Sequence, residues 1–170
     1  AMQDYTRGAR LLGDAELMLK SDPQAELLAD VMLAYSSMSY ALGKHPLAAE
    51  YAQRGLAVLG EDEGLAMRAR LLRDRARAEA QLDQVEAANV SLQQATQLAQ
   101  RLKDPKLEAE LYLEGARVAR IVGDLAIQRR NGERVLAMAG QLRNSQLAGL
   151  GHEVLGLAAA YAGDGKGATR

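Results

Sequence analysis

The sequence predicts an all-α protein, and three observations support that fold class. The 170-residue chain is 48% hydrophobic but only 4% aromatic, with no Phe, no Trp and three prolines. Ala, Leu, Arg, Glu and Gln, which all favour helices, dominate the composition. Turn signals divide the chain into segments of helical length with helical spacing of apolar residues. A chain of this length and hydrophobic content can bury a core.

Eight helices are predicted in order along the chain. Proline is well tolerated at the first position of a helix, so each of the three prolines marks a helix start: Pro23, Pro46 and Pro105. The connections are short, which predicts antiparallel neighbours. The predicted helices are 3–20, 24–42, 46–59, 63–82, 84–102, 105–122, 125–140 and 145–162, followed by a flexible tail at 163–170.

The turns recur with a fixed period. Turn residues stand 40 positions apart, at Gly43, Asp83, Gly123 and Gly163. Seven positions before each of them is a small residue: Ser36, Ala76, Ala116 and Gly156. Five positions after the first two turns are the alanines Ala48 and Ala88. A fixed period of this size is typical of a helical solenoid, in which small residues let the paired helices approach closely.

This register resembles the tetratricopeptide repeat (TPR), whose motif combines a small residue in the first helix, a Gly-Asp turn and an alanine in the second helix. The resemblance implies a right-handed superhelical solenoid of antiparallel helix pairs, forming one domain over residues 1–170. It divides the chain into a partial first repeat, three full repeats and a partial last repeat: 3–20, about 24–60, 63–102, 105–141 and 145–162.

Two departures refine the resemblance. Gln128 occupies the alanine position of its repeat, and the 40-residue period is longer than the usual TPR of about 34 residues. Long repeats of this kind, and the phrase AQRLKDPKLEAEL, are similar to those beside effector domains in bacterial signalling proteins. The resemblance therefore implies a protein–protein interaction module, the regulatory part of a larger bacterial protein. The alternative is a small-molecule sensor that passes a shape change to an attached effector domain.

The first helices of TPR pairs line a concave groove, so the resemblance also places a candidate partner-binding set there: Tyr40, Arg70, Arg73, Arg77, Arg117 and Arg120. Arginine donors suit carboxylates, which favours an acidic peptide as the partner. The alternative is a solvated face that is neutralised within each helix. The (i, i+4) pairs Arg70–Asp74 and Arg75–Glu79 support this alternative.

No pattern indicates catalysis. The chain has no cysteine, and its two histidines, His45 and His152, are too isolated to suggest a metal site. The tail GDGKGATR lacks the spacing of a phosphate-binding loop. A formal charge of −1 and the lack of a long apolar run predict no binding to nucleic acid or membrane. We expect a non-enzymatic protein without a cofactor, in the cytoplasm or, alternatively, the periplasm.

The last predicted helix carries more apolar residues than one neighbour can cover. A second copy of the chain in a two-fold dimer is the expected cover, and a downstream domain is the alternative. The candidate dimer face consists of Leu150, Val154, Leu157 and Tyr161.

Overall fold

The structure is a computed structural model that describes residues 10–14, 25–60 and 62–167, with side chains as far as residue 163. All regular structure in these ranges is helical, and none of these residues lies in a strand. The prediction of an all-α chain is confirmed.

The described ranges contain seven longer helices: α1 (Ala25–Ala41), α2 (His45–Val58), α3 (Leu65–Gln81), α4 (Val85–Leu102), α5 (Pro105–Ile121), α6 (Leu125–Leu142) and α7 (Ser145–Gly167). We call α1, α3, α5 and α7 first helices, and α2, α4 and α6 second helices. Residues 10–14 are also helical, but most of the predicted helix 3–20 lies outside the described residues. The other helix ends agree with prediction within two residues, except that α7 ends at Gly167 instead of residue 162.

Left-handed residues end most of these helices. After the first helices, Gly43, Asp83 and Gly123 have φ angles of 72°, 61° and 79°. After the second helices, Lys103 and Arg143 have φ angles of 52° and 50°. This conformation suits glycine because it has no Cβ, yet three of the five residues are not glycine.

A common hydrogen bond closes these five turns. In each, the N–H after the left-handed residue donates to a carbonyl five positions earlier: Lys44 to Ser39 (2.9 Å), Gln84 to Glu79 (2.9 Å), Asp104 to Ala99 (3.1 Å), Asp124 to Ala119 (2.8 Å) and Asn144 to Ala139 (3.0 Å). This bond is the longer one of the Schellman motif, which satisfies a carbonyl at the end of a helix. The predicted fourth turn is different, because α7 continues through Gly163 as a helix.

Side-chain caps start the last three helices. Asp104 Oδ1 accepts a hydrogen bond from Leu107 N at 3.0 Å, and Asp124 Oδ1 accepts one from Ile127 N at 2.8 Å. Asn144 Oδ1 accepts the equivalent bond from Leu147 N at 3.0 Å. Such caps satisfy N–H groups that have no partner inside the helix.

The chain divides into two compact units, Ala1–Leu98 and Ala99–Arg170, and the boundary falls within α4. In the first unit, α1 packs against α2 and α3, and α2 packs against α3. In the second unit, α5 packs against α6 and α7, and α6 packs against α7. α1 and α5 thus each contact both the second helix that follows and the next first helix of the same unit.

Small residues lie where helices meet. The predicted packing residues Ser36, Ala76, Ala116, Ala48 and Ala88 are all fully buried. The Ser36 hydroxyl donates to the Ala48 carbonyl at 2.8 Å, which joins α1 to α2 at this register.

Two predicted roles on α7 are corrected by the structure. Gly156 is exposed, and a Cβ placed on it would meet no atom within 4 Å, so it packs against nothing described. Val154 is buried in the core of the second unit together with Leu113, Val135 and Leu147, so it is unavailable to a dimer face. Both corrections follow from which side of α7 faces α6, a property that the repeat register did not specify.

Glycines that the register did not single out allow the closest approaches. A Cβ on Gly55 would lie 2.7 Å from Leu71 Cδ2. Between α6 and α7, a Cβ on Gly132 would lie 2.9 Å from Leu155 Cδ2, and one on Gly151 would lie 2.8 Å from Leu136 Cδ2. Each glycine accommodates a leucine of the neighbouring helix.

Candidate functional site

Three of the four predicted partner-binding residues of the first unit, Tyr40, Arg73 and Arg77, make side-chain contacts on neighbouring parts of α1 and α3. The Arg77 guanidinium carbon lies 4.3 Å from the centre of the Tyr40 ring, within the range of a cation–π interaction. The Tyr40 hydroxyl accepts a hydrogen bond from Gln81 Nε2 at 3.2 Å, and the His45 ring lies 5.1 Å from the Tyr40 ring. Tyr40 is therefore held by three neighbours in one orientation.

The buried carboxylate of Asp74 joins Ser37 on α1 to Arg73 on α3. Asp74 is 2% exposed, and its Oδ1 accepts hydrogen bonds from Arg73 Nε at 3.1 Å and Arg73 Nη2 at 3.0 Å. Its Oδ2 accepts a hydrogen bond from the Ser37 hydroxyl on α1. Burial of a carboxylate is costly unless it is paired and hydrogen-bonded, as it is here. We call Ser37, Tyr40, Arg73, Asp74 and Arg77 the Tyr–Arg cluster.

Arg70 does not belong to this cluster. It is exposed and forms no ion pair with the described residues, so the predicted Arg70–Asp74 pair is replaced by the pairing of Asp74 with its neighbour Arg73. The second predicted pair is present: Arg75 Nε lies 2.6 Å from Glu79 Oε1. Glu79 is 3% exposed and also accepts a hydrogen bond from Ser91 at 2.8 Å, so it fastens α3 to α4.

The second unit repeats part of this arrangement. Glu114 and Arg117 stand 40 positions after Asp74 and Arg77. Glu114 is buried, and its Oε2 lies 3.4 Å from Arg117 Nη1. Arg120 is exposed in the last turn of α5, where a positive charge interacts favourably with the helix dipole.

Buried acids are what the sequence analysis missed. Asp74 and Glu79 were considered only as parts of a solvated face, yet both are buried, as is Glu114, and each pairs with an arginine of its own helix. Their negative charges offset much of the positive charge of the arginines. Glu79 and Glu114 lie four and three residues from their arginines, a spacing that sequence can reveal, whereas the pairing of Asp74 with its immediate neighbour Arg73 is not predicted by helix spacing.

Two open grooves lie between α6 and α7 in the second unit. One, of about 400 Å³, is lined by residues that include Arg129, Arg130 and Ala158. The other, of about 410 Å³, is lined by residues that include Leu136, Ala139 and His152. A small-molecule site normally encloses most of its ligand and directs several polar groups onto it, and neither groove has that form.

No protein-family model matches the chain, and no curated protein is significantly similar to it. Residues 10–14, 25–60 and 62–167 contain no group of three or more acidic or histidine side chains placed to hold a metal ion. Within the same part of the chain, every helix is too short or too polar to cross a bilayer. The geometry of the Tyr–Arg cluster is thus the main guide to function.

Proposed function

We propose that the chain is a TPR-like interaction module that binds a partner protein or peptide through the exposed face of its first helices. The turns of the structure support a repeat, because left-handed residues recur at 83, 103, 123 and 143 with the same hydrogen bond. The right-handed superhelix that the TPR resemblance implies is part of this proposal. So is the role of the chain as the regulatory portion of a bacterial signalling protein.

The Tyr–Arg cluster is the observation that carries the proposal. Tyrosine and arginine are enriched among residues that dominate binding energy at protein interfaces. In this cluster both side chains are already ordered, since Arg77 stacks on Tyr40 and Asp74 holds Arg73. A partner would therefore lose little side-chain entropy on binding to these residues.

The chemistry of the cluster specifies its partner. Asp74 accepts two hydrogen bonds from Arg73, and the Arg77 guanidinium stacks on the Tyr40 ring. A peptide carboxylate beside Arg77, with an apolar group against Tyr40, fits this surface. The favoured partner is an acidic peptide segment with an adjacent apolar side chain, and a largely polyanionic one is disfavoured because of the buried acids.

Peptide selection tests the proposal. A displayed library of acidic and neutral peptides is selected on the whole chain, and the peptides retained are measured against Arg77→Gln and Arg54→Gln. Arg54 is the matched control because it also stacks on a tyrosine, lying 5.3 Å from the centre of the Tyr51 ring, but on a second helix. We expect Arg77→Gln to weaken binding by roughly tenfold, the equivalent of a lost charged hydrogen bond, while Arg54→Gln leaves binding unchanged.

Two results would contradict this function. Selection of no peptide, or equal effects of the two substitutions, would show that the cluster serves only to join α1 to α3. A thermal-shift screen with metabolites tests the sensor alternative. Stabilisation by a metabolite, without peptide binding, would favour the sensor.

A further inference from the structure

The arginines of α3 differ in whether their side chains have partners. Arg70 is exposed, and it forms no hydrogen bond or ion pair with the described residues. The other arginines of this helix all have a partner: Arg68 donates to carbonyls at the end of α2, Arg73 pairs with Asp74, Arg75 pairs with Glu79, and Arg77 stacks on Tyr40. Arg70 is therefore the arginine of α3 whose charge is left to interact with a partner.

Arg70 lies on the same side of α3 as Arg77. Seven residues make nearly two turns of an α-helix, so these two residues point in nearly the same direction and stand about 10.5 Å apart along the axis. Asp74 lies between them, where it is buried and accepts hydrogen bonds from Ser37 and Arg73. This side of α3 thus carries two arginines about two turns apart, with a paired acid between them.

The facing part of α1 leaves Arg70 without a counter-charge. Contacts between α1 and α3 join residues 37 positions apart, namely Ser37 to Asp74 and Tyr40 to Arg77. The same offset places half-buried Leu33 opposite Arg70. Asp30, about one turn earlier on α1, is exposed and forms no ion pair with the described residues. An uncharged side chain, Leu33 or Tyr40, therefore faces each of the two arginines.

We propose that the Tyr–Arg cluster and Arg70 together bind a peptide segment that has two acidic residues three positions apart and adopts a polyproline II conformation. This inference rests on the proposed function, because it uses the same surface and the same class of partner. Arg77 and Arg70 each bind one carboxylate, and Tyr40 and Leu33 contact apolar residues on the outer sides of the two acids. Arg70 is then the residue that selects for the second acid.

The distance between the arginines favours this conformation. A polyproline II helix has three residues per turn and rises about 3.1 Å per residue, so acids three positions apart point the same way at a separation of about 9.3 Å. In a β-strand, residues three positions apart point to opposite faces, and residues two or four apart are separated by about 6.6 or 13 Å. An α-helical partner would need acids seven positions apart, which the experiment below distinguishes.

The two residues between the acids are expected to be uncharged. They lie over Asp74, whose carboxylate already accepts hydrogen bonds from Ser37 and Arg73. An acid in the middle of the peptide would gain no unpaired cation there and would be repelled by the like charge of Asp74. Proline is favoured at one of these positions, because its fixed φ matches polyproline II and lowers the entropy lost on binding.

Fluorescence anisotropy with labelled peptides and the whole chain tests the inference. The probe is Leu-Glu-Pro-Ala-Glu-Leu, and the matched peptide with one acid is Leu-Glu-Pro-Ala-Gln-Leu. We expect Arg70→Gln to raise the dissociation constant of the probe roughly threefold, the size of an exposed ion pair, and to leave that of the one-acid peptide unchanged. Arg70→Lys should keep most of the affinity because it keeps the charge, and added salt should reduce the effect of Arg70→Gln.

Two further controls define the site and the spacing. Arg130→Gln removes an exposed arginine of α6 and should change the binding of neither peptide. Leu-Glu-Pro-Glu-Leu places the acids two positions apart, and an alanine-rich helical peptide places them seven apart. Both should bind no more tightly than the one-acid peptide. Circular dichroism confirms that each variant is folded.

The outcomes separate this inference from the proposed function. If Arg77→Gln weakens both hexapeptides but Arg70→Gln weakens neither, or weakens both equally, the proposed function stands and Arg70 does not select for a second acid. Tighter binding of the peptide with acids two or seven positions apart would overturn the spacing and the polyproline II conformation. Binding of none of the peptides would contradict both the inference and the proposed function.

Discussion

α5 and α7 both pack against α6, yet small residues at positions 40 apart on the two helices differ in burial. Ala116 on α5 is fully buried, whereas Gly156 on α7 is exposed. The difference follows from the turn after each helix. α5 ends at left-handed Gly123 and the chain returns as α6, while α7 continues through Gly163. Equivalent small residues therefore become core or surface depending on the segment that follows them.

The largest expected difference between the two helices is in their tolerance of a larger side chain. Ala116→Leu should lower the free energy of unfolding by about 1–3 kcal/mol, because the site is already filled by α6. Gly156→Leu should cause no such loss, since space surrounds the site. Urea denaturation followed by circular dichroism measures both, and equal destabilisation would show that the two positions are alike.

A smaller contrast concerns the two glycines that follow these positions. Gly123→Ala should destabilise by about 1–2 kcal/mol, because a Cβ is unfavourable at a φ of 79°. Gly163→Ala should stabilise by about 0.5–1 kcal/mol, because alanine favours a helix interior more than glycine does. Thermal melts of the two variants give the signs directly. Loss of stability in both would mean that α7 also turns at residue 163.

The smallest contrast concerns the residues after these glycines. Asp124→Ala removes the hydrogen bond to Ile127 N at the start of α6, and we expect a loss of about 1 kcal/mol. Residue 164 lies inside α7 and begins no helix, so Asp164→Ala should change stability by less than about 0.5 kcal/mol. A comparable loss in both variants, measured by urea denaturation, would contradict the difference in chain path.

Much of the fold could be predicted from the sequence. Helix boundaries followed from prolines, caps and apolar spacing, because these features act within a few residues of where they occur. Gly43 and Gly123 were identified as turns for the same reason. Asp83 was placed at a turn by the 40-residue period and by its spacing from Glu86, which matches a capping box. Lys103 and Arg143 were missed because a lysine or arginine gives no local sign of a left-handed conformation.

The candidate site was harder to predict from the sequence because it depends on contacts between helices. The sequence suggested that Tyr40 and Arg77 share a face, but their stacking depends on how α1 packs against α3. Aspartate usually lies on the surface. Asp74 is buried because it pairs with Ser37 and Arg73, and the sequence alone does not reveal these contacts. The exposure of Gly156 likewise depends on the path of the chain after α7.

The regular turns have a consequence for how the gene can change. Left-handed residues at positions 83, 103, 123 and 143 end successive helices with the same hydrogen bond. Duplication or deletion of one 40-residue segment would join a complete helix end to a complete helix start. We therefore expect that a gain or loss of 40 residues can preserve the turn at the junction without a new substitution there.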